Sequence, residues 1–416
     1  MGELGQERNW TQSASLKHLG ADVAGAVQTV SPGIKLSDPS GARHKSLAAS
    51  QQRQPSLTVY GKPQFEREGF GVVVVRSERT ERRVSIGDVA AAAGVSQATA
   101  ARALAGRGYV STDTQHKVAI EAKRLGYLRN QAARSLRTRR SMTIGLLVAD
   151  VDDPFFATLA KHIEAASVRA GYRVLLCSSN DDPQSEADQL QALAEYGVDG
   201  LIVTPGQENI EILSRLIRAG TAVVQVDRRV AGLDADAVVL DNEAGASLAV
   251  EHLLSAGHRR IAMATGPLHI DTARDRLHGY EKALGSHGIE VDPALVHVGS
   301  FQRGGQEALV RQILRARPAA TAIIAANSII AESVWVAFSR SHLGAVRDVA
   351  LVAFDDVPWM RMVDPAVTTI AQPWESMALE SVKLLVSRLD GQDADTQART
   401  IVMQPSLISR ESVTAR

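Results

Sequence analysis

The 416 residues are enough for two or three domains, and the 45% hydrophobic content is ordinary for a soluble globular protein. A single cysteine, Cys177, excludes an internal disulfide framework and a cysteine-based zinc site, and no apolar run reaches the roughly 20 residues of a membrane span. The 46 basic and 46 acidic side chains cancel to a formal net charge of zero, which taken alone argues against a polyanionic partner.

The charge is unevenly distributed along the chain. Residues 1–80 carry a net charge of +3, residues 81–140 carry +8, and residues 141–416 carry −11. A short basic block attached to an acidic body is typical of a nucleic-acid-binding module on a larger globular domain. A solvated basic tail would give the same charge distribution. The local sequence pattern has to distinguish this tail from a nucleic-acid-binding module.

The first 80 residues show no sustained helical or strand period and are punctuated by Ser, Gln, Gly and Pro. We expect residues 1–80 to be disordered. An alternative is that translation begins near Val72–Val75, just before the organised region, so that the native protein lacks this leader. The N-terminus shows no basic segment followed by an apolar one, which predicts a cytoplasmic protein without a membrane partner.

The basic block has the pattern of two short helices joined by a glycine turn and braced by a third. Ser85–Asp88 has the S-x-x-D form of a capping box, Gly94–Ser96 breaks the first helix, and a second helix is expected over residues 97–104. A third helix is expected within residues 111–126. The pattern predicts a helix-turn-helix DNA-binding domain over residues 81–129, with an alanine-rich bundle that does not bind DNA as the alternative.

One side of the second predicted helix carries polar groups instead of large apolar ones. Gln97, Ala98 and Arg102 lie on it, and Gln and Arg suit adenine and guanine edges in the major groove. Ser96 and Thr99 suit phosphate oxygens. We therefore expect this helix to contact base edges in DNA.

The block resembles the DNA-binding headpiece of the lactose/galactose-repressor (LacI/GalR) family through Val84–Ala90, Ala93–Ser96 and Asn130–Leu136. The resemblance implies that residues 130–141 form a hinge helix that folds on operator DNA, with Leu136 as an apolar wedge in the minor groove. A leucine on the surface of a linker is the alternative for Leu136. The predicted DNA-binding residues are Ser85, Ile86, Ser96, Gln97, Ala98, Thr99, Arg102, Tyr109, Ser111, Thr114, Asn130, Ala133, Arg134 and Leu136.

Five positions depart from the family pattern. Ala100–Ala101 stands where Val-Ser is usual, Ala105 replaces a common Asn, and Arg129 replaces a frequent Pro. Gly87 stands where a larger side chain, often Tyr, is common. These departures leave the operator sequence open.

Short continuous apolar runs alternate with amphipathic helices from residue 142 to 416, as in Ile144–Val148 and Leu201–Val203. This alternation predicts parallel sheets covered on both faces, and about a dozen strands predict two lobes with a ligand cleft at the carboxyl ends of the strands. The predicted fold class is an N-terminal all-α helix-turn-helix headpiece plus an α/β two-lobed periplasmic-binding-protein-like domain with parallel doubly wound sheets. The resemblance extends over about 330 residues and implies that this body, residues 142–416, senses an effector and dimerises.

Several side chains are candidates for effector binding. Phe155 and Phe156 follow the first strand and could stack on a sugar or base ring, although core packing is an equal reading for Phe155. The resemblance implies that Arg276 hydrogen-bonds the ligand; an exposed helical arginine paired with Asp275 or Glu281 is the alternative. The predicted effector-binding residues are Phe155, Phe156, Asp227, Thr272, Arg276, Asn327, Asp355 and Trp374.

Two of these predictions carry qualifications. Asn327 matches a polar contact of the family, but Ser328 replaces the usual Asp beside it. Trp374 could line the pocket or pack at the hinge between the lobes. Asp355 matches the family's cleft carboxylate, which accepts ligand hydroxyls.

The body contains no G-x-S-x-G, P-loop or H-E-x-x-H motif, so we predict no enzyme activity, cofactor or metal. The predicted protein is a ligand-responsive transcriptional regulator, in most family members a repressor, of carbohydrate or related catabolic genes. Its predicted partners are a near-palindromic operator, a sugar, sugar acid or nucleoside-like effector, and a second copy of the chain. The alternative is a solute-binding protein of a sugar transporter, which would share the body but need a signal peptide and no headpiece.

Overall fold

The structure is a computed structural model that describes residues 84–106, 108–127, 140–303, 306–315, 319–340, 348–393 and 396–416. The predicted leader, residues 1–80, lies outside the described residues. So do four predicted hinge contacts, namely Asn130, Ala133, Arg134 and Leu136.

The headpiece consists of the three predicted helices, α1 (Ile86–Ala93), α2 (Gln97–Ala105) and α3 (Thr112–Arg124). The expected capping box is present, because the Asp88 N–H donates to Ser85 Oγ at 3.3 Å and the Ser85 N–H donates to Asp88 Oδ2 at 2.8 Å. Gly94 ends α1 with a φ of 67°, a left-handed conformation that glycine adopts without strain. Small apolar side chains from all three helices form the core, which allows the helices to approach closely.

The first lobe is built on a six-stranded parallel sheet in the order β11-β5-β4-β3-β1-β2. Helices α4 and α11 share an apolar core with one face of the sheet, and α5 and α6 pack against the other. The elements are β1 (Thr143–Val148), α4 (Pro154–Arg169), β2 (Arg173–Ser178), α5 (Pro183–Tyr196), β3 (Gly200–Val203), α6 (Ile210–Arg218), β4 (Ala222–Val226), β5 (Asp236–Leu240), α11 (Trp374–Leu389) and β11 (Thr400–Met403).

The second lobe repeats this plan with the sheet order β12-β10-β9-β8-β6-β7. Its strands are parallel except β12, which pairs antiparallel with β10. The elements are α7 (Asn242–Ser255), β6 (Ile261–Thr265), α8 (Asp271–Ser286), β7 (Val296–Val298), α9 (Gln306–Arg315), β8 (Ala322–Ala325), α10 (Ser328–Arg340), β9 (Ala350–Phe354), β10 (Thr368–Ala371) and β12 (Ser406–Ile408).

Most strands are buried on both faces as the continuous apolar runs predicted, but β2 is an exception. Leu176 on this strand is 47% exposed, and no residue of β2 is fully buried. β2 is less buried because it is the edge strand of its sheet. Its apolar pattern resembled that of a central strand.

The chain passes between the lobes in three places: from β5 into α7, from β10 into α11, and from β11 into β12. The loops after β1, β2 and β4 therefore meet the loops after β6, β8 and β9 between the lobes. Parallel sheets bind ligands at this end of their strands.

Candidate effector site and nucleic-acid interface

A cavity lies between the two lobes at the carboxyl ends of the strands. It contains about 380 Å³ of space, part of which is open to solvent. Carboxylates, aromatic rings and two arginines dominate its walls. It is lined by Asp150, Asp153, Phe155, Phe156, Asp181, Asp227, Arg228, Thr272, Arg276, Phe301, Asn327, Asp355 and Gln372.

The structure brings seven of the eight predicted effector-binding residues to this cavity; only Trp374 is not among the lining residues. Trp374 opens helix α11, and its ring stands 6.5 Å from the Phe155 ring, centroid to centroid. It packs behind the cavity wall, in keeping with the hinge-packing alternative. Contact between any of these residues and an effector stays a prediction.

Phe155 and Phe156 form an aromatic wall at the start of α4. Asp153 caps this helix by accepting a hydrogen bond from the Phe155 N–H at 2.9 Å, and Pro154 occupies the first turn. The two rings pack edge to face with centroids 4.9 Å apart. Both side chains are almost fully buried, and they belong to the core of the first lobe as well as to the cavity lining.

Arg276 lies on α8 and is only 3% exposed, so the alternative of an exposed helical arginine is wrong. Its Nε donates to Asn242 Oδ1 at 2.8 Å, and its Nη1 donates to the carbonyl of Ala326. The guanidinium carbon lies 4.1 Å from the centroid of the Phe354 ring, a cation–π contact. These contacts fix the guanidinium at the cavity wall, where burial lowers its pKa.

Arg228 was not among the predicted site residues. It follows β4 directly after Asp227, and its guanidinium forms a two-bond ion pair with Asp181, with the Nη2–Oδ2 distance at 3.2 Å. Its buried Nε has no hydrogen-bond partner among the described residues. A charged residue at the carboxyl end of an apolar strand was the available sequence signal, but the partner that holds it lies 47 residues away.

Three buried carboxyls face the cavity with raised pKa values. Burial raises the pKa of Asp227 to about 7, although Arg228 and Arg276 oppose the shift. Burial and then the charge of Asp355 raise the pKa of Asp153 to about 7, and burial also raises the pKa of Asp355. Groups of this kind favour ligands that donate hydrogen bonds, because a donor stabilises the charged form.

The predicted base-reading side chains lie together on the exposed side of α2. Gln97, Ala98 and Arg102 are exposed, and Arg102 Nε donates to the Ala98 carbonyl at 3.3 Å. Ser96 caps the helix by accepting from the Thr99 N–H at 3.1 Å. The other predicted contacts flank this helix, namely Ser85, Ile86, Tyr109, Ser111 and Thr114, of which Tyr109 is fully exposed.

Gly87 on α1 lies close to the side-chain amide of Gln97. A Cβ added at Gly87 would lie 2.8 Å from Gln97 Nε2, closer than side chains approach one another. The absence of a side chain at position 87 therefore makes room for the amide of Gln97.

The start of the body is fastened to the first lobe. Asp199 accepts hydrogen bonds from the Ser141 N–H at 2.6 Å and from the Met142 N–H at 2.9 Å. Arg140 forms an ion pair with Asp390 at 3.1 Å and donates to the carbonyl of Leu389, both at the C-terminal end of α11. The chain segment that leads to the predicted hinge is thus held directly by α11.

No helix among the described residues is long and apolar enough to cross a membrane. No group of three or more His, Cys, Asp or Glu side chains in the same residues is arranged to hold a metal ion.

Comparison with known proteins decides the family. Residues 85–130 match the bacterial regulatory proteins of the lacI family, and residues 250–413 match the periplasmic binding protein-like domain. The ribose operon repressor of Bacillus subtilis (strain 168) is 33% identical over 321 residues, which are 77% of this chain and 95% of the repressor. The chain belongs to the lacI family. It is a DNA-binding transcriptional regulator with an effector-binding body.

Solved structures extend this similarity in three dimensions. A lac repressor dimer bound to operator and the anti-inducer ONPF has a TM-score of 0.71 at 26% identity, covering 80% of this regulator and all of that chain. A complex of the transcriptional regulator CelR with cellobiose has a TM-score of 0.60 at 29% identity, covering 79% of this regulator and all of that chain. The similarity therefore includes the headpiece as well as both lobes of the regulator.

Proposed function

We propose that this regulator represses carbohydrate catabolic genes and that a small polyhydroxyl effector in the inter-lobe cavity controls its affinity for the operator. The observation that carries the proposal is that the same chain combines two features. The first is helix α2 with its exposed polar side chains, and the second is a cavity lined by buried carboxylates, arginines and phenylalanines. Aromatic walls with a few fixed polar groups are how proteins orient small ring compounds. An effector changes the equilibrium only through its different affinities for the two states of the body.

The proposal assigns the parts of the chain as follows. Residues 81–129 bind the operator major groove, residues 130–141 form the hinge in the minor groove, and residues 142–416 bind the effector and join two copies into a homodimer. Such a dimer reads a near-palindromic site because its two headpieces are related by a two-fold axis. Because its target is chromosomal DNA, the regulator works in the cytoplasm, and we infer that it binds its effector without transforming it.

The relatives narrow the first compounds to test. One relative is named a ribose operon repressor, and the solved structure of CelR contains cellobiose. A pentose and a disaccharide therefore set the lower and upper size of the sugars to test. D-ribose is the first choice, because the ribose operon repressor is 33% identical over 77% of this chain.

The deciding experiment is a fluorescence-anisotropy titration of the full chain on a labelled duplex from the region upstream of its own gene. We expect specific binding that weakens steeply with salt and that D-ribose or another sugar of a small panel reverses. Arg102→Ala and Leu136→Ala should each weaken specific binding at least tenfold, whereas Arg218→Ala on the body surface should leave it unchanged. Equal affinity for unrelated duplexes would contradict the proposal.

The solute-binding alternative makes the opposite prediction. A transport protein would bind the sugar in the same cavity but would show no sequence-specific DNA binding. The headpiece described here favours the regulator.

A further inference from the structure

A second cavity lies between the same two lobes and has a more exposed lining than the candidate effector cavity. It contains about 1050 Å³ of space, part of which is open solvent. Exposed side chains such as Arg229, His269 and Gln302 line it, whereas the effector cavity is lined almost entirely by buried side chains. We call this second space the outer cavity.

The two cavities adjoin at three residues. Asp181, Arg228 and Phe301 line both of them. Asp181 and Arg228 form the ion pair of the first lobe, and Phe301 follows β7 in the second lobe. A ligand that reaches the effector cavity through the outer cavity therefore passes between parts of both lobes.

Two hydrogen bonds join the lobes beside the outer cavity. The Arg229 N–H, in the loop after β4 of the first lobe, donates to Asp271 Oδ2 at the start of α8 in the second lobe, at 2.8 Å. Gln302 Nε2 in the second lobe donates to the carbonyl of Asn180, in the loop after β2 of the first lobe. Asp271, Arg229 and Gln302 all line the outer cavity, so both bonds lie where a ligand would enter.

The bond between Asp271 and Arg229 is charge-assisted. The other carboxylate oxygen of Asp271, Oδ1, accepts from the Thr272 N–H at 2.8 Å, so backbone donors hold both oxygens. Burial raises the pKa of Asp271, and the two N–H groups oppose this shift because they stabilise the charged form. Hydrogen bonds of this kind are stronger than those between neutral groups, so the loop after β4 is held firmly against α8.

Both bonds join atoms of the chain itself and need no ligand. They break whenever the lobes separate at the outer cavity, whether the effector cavity is filled or empty. Removing one of them should therefore ease opening of the free and of the ligand-bound body by the same factor. Ligand entry and ligand release would then accelerate together, while the equilibrium affinity would stay the same.

We propose that the Asp271–Arg229 and Gln302–Asn180 hydrogen bonds form a latch across the outer cavity, which controls how fast the effector enters and leaves. The inference rests on the proposed function only in placing an effector in the inner of the two cavities. It assigns Asp271 and Gln302 to the rate of effector exchange and not to the strength of binding.

The first test follows the latch without any ligand. Hydrogen exchange of the Arg229 amide in the full chain, measured by mass spectrometry, reports how often this amide separates from Asp271. Gln302→Ala removes the bond to Asn180, yet it should speed exchange at Arg229 at least threefold, because the same separation of the lobes breaks both bonds. Gln207→Ala is the matched control, because Gln207 is exposed and lines the same cavity from the first lobe. It should leave this exchange rate unchanged.

The second test measures effector exchange by stopped-flow mixing of the full chain with D-ribose, followed by tryptophan fluorescence. Asp271→Ala and Gln302→Ala should each raise the association and the dissociation rate constants at least fivefold and keep Kd within twofold. Asp275→Ala is the control for Asp271→Ala, because Asp275 lies on the same helix but pairs with the neighbouring Arg274. Cellobiose replaces D-ribose as the probe if D-ribose gives no signal.

Two outcomes would overturn the latch. One is a weaker Kd with an unchanged association rate, which would show that the bonds stabilise the bound state alone. The other is wild-type exchange at Arg229 in Gln302→Ala. If neither sugar binds, the proposed carbohydrate function fails, and the exchange measurement still decides whether the two bonds act as one latch. The midpoint of thermal unfolding confirms that each variant is folded.

Discussion

Two aspartates hold the same unusual backbone conformation at matching positions of the two lobes. Asp227 follows β4 with a φ of 69°, and Asp355 follows β9 with a φ of 70°. Each backbone N–H still donates at 3.0 Å to the neighbouring strand, to the carbonyl of Val238 and of Ile370. Left-handed backbone is uncommon outside glycine and is found at binding sites, where the surrounding structure enforces it. The conformation ends the strand while keeping the carboxylate at the cavity.

The raised pKa of Asp227 gives a first prediction. Its folded pKa of about 7 lies above the ordinary value of 3.8, so between these pH values the folded chain binds a proton that the unfolded chain lacks. Its contribution to stability is therefore lost as the pH rises from about 4 to 7. Asp227→Asn keeps a residue that tolerates left-handed backbone and should raise the free energy of unfolding at pH 8 relative to pH 5 by roughly 2–4 kcal/mol.

Chemical denaturation of the full chain at the two pH values measures this difference. Asp188→Asn, at an exposed position on α5, is the control for the substitution itself. An unchanged pH dependence in Asp227→Asn would show that this carboxyl titrates near its ordinary value.

Gly87 gives a second prediction. Gly87→Ala should stabilise α1 by about 0.5–1 kcal/mol, because alanine loses less backbone entropy than glycine in a helix. The added methyl group would displace the amide of Gln97, whose tip is flexible, and the base preference of the headpiece should change. Selection of binding sites from a random duplex library measures that preference. Gln97→Ala should change the preference at the same base position as Gly87→Ala. A change at a different base position would contradict an effect of Gly87 through Gln97.

At the scale of elements, α11 connects the effector cavity with the start of the body. Just before its N-terminus, Gln372 donates to Asp355 Oδ1 at 2.7 Å, and at its C-terminal end Leu389 and Asp390 hold Arg140. Sixteen helical residues separate these points by about 24 Å. A packed helix moves as a rigid body. A shift of α11 at Gln372 therefore also moves Leu389 and Asp390, which hold Arg140.

Arg140→Ala tests this connection. The ion pair is about half exposed, so its loss should cost at most about 1 kcal/mol of stability. We expect sugar affinity to stay within twofold while the change in operator affinity on adding sugar falls at least threefold. Lys383→Ala breaks an exposed pair with Glu380 on the same helix and should change neither quantity; an effect as large as that of Arg140→Ala would contradict the role of this contact.

The elements were predictable because their signals are local. The capping box at Ser85 and the apolar run at Ile144–Val148 each depend on neighbours within a few residues. The pairings that build the cavity are different in kind: Ser328 meets Asp153 from 175 residues away. The sequence pattern and the family resemblance together indicated seven of the side chains at the cavity, but not that Asp153 and Arg228 are fixed there by partners in distant loops.

At the scale of the whole molecule, the charge asymmetry leads to a further prediction. Residues 142–416 carry a net charge of −11, so the isolated body should not bind duplex DNA at physiological salt, whereas the full chain should. Anisotropy of a labelled nonspecific duplex at about 150 mM salt, compared with about 50 mM, measures both. Binding by the body at the higher salt would show that DNA contacts extend beyond the headpiece.

The three passages of the chain between the lobes also limit how the body can move. A pair of bodies joined by one tether can tumble, twist and slide, but three tethers lying side by side leave little more than bending about a single axis. The only inexpensive motion is then opening and closing of the cleft. Because the lobes move along only one coordinate, ligands of different chemistry affect the headpiece in the same way. Each ligand that fits between the lobes acts through the angle between them.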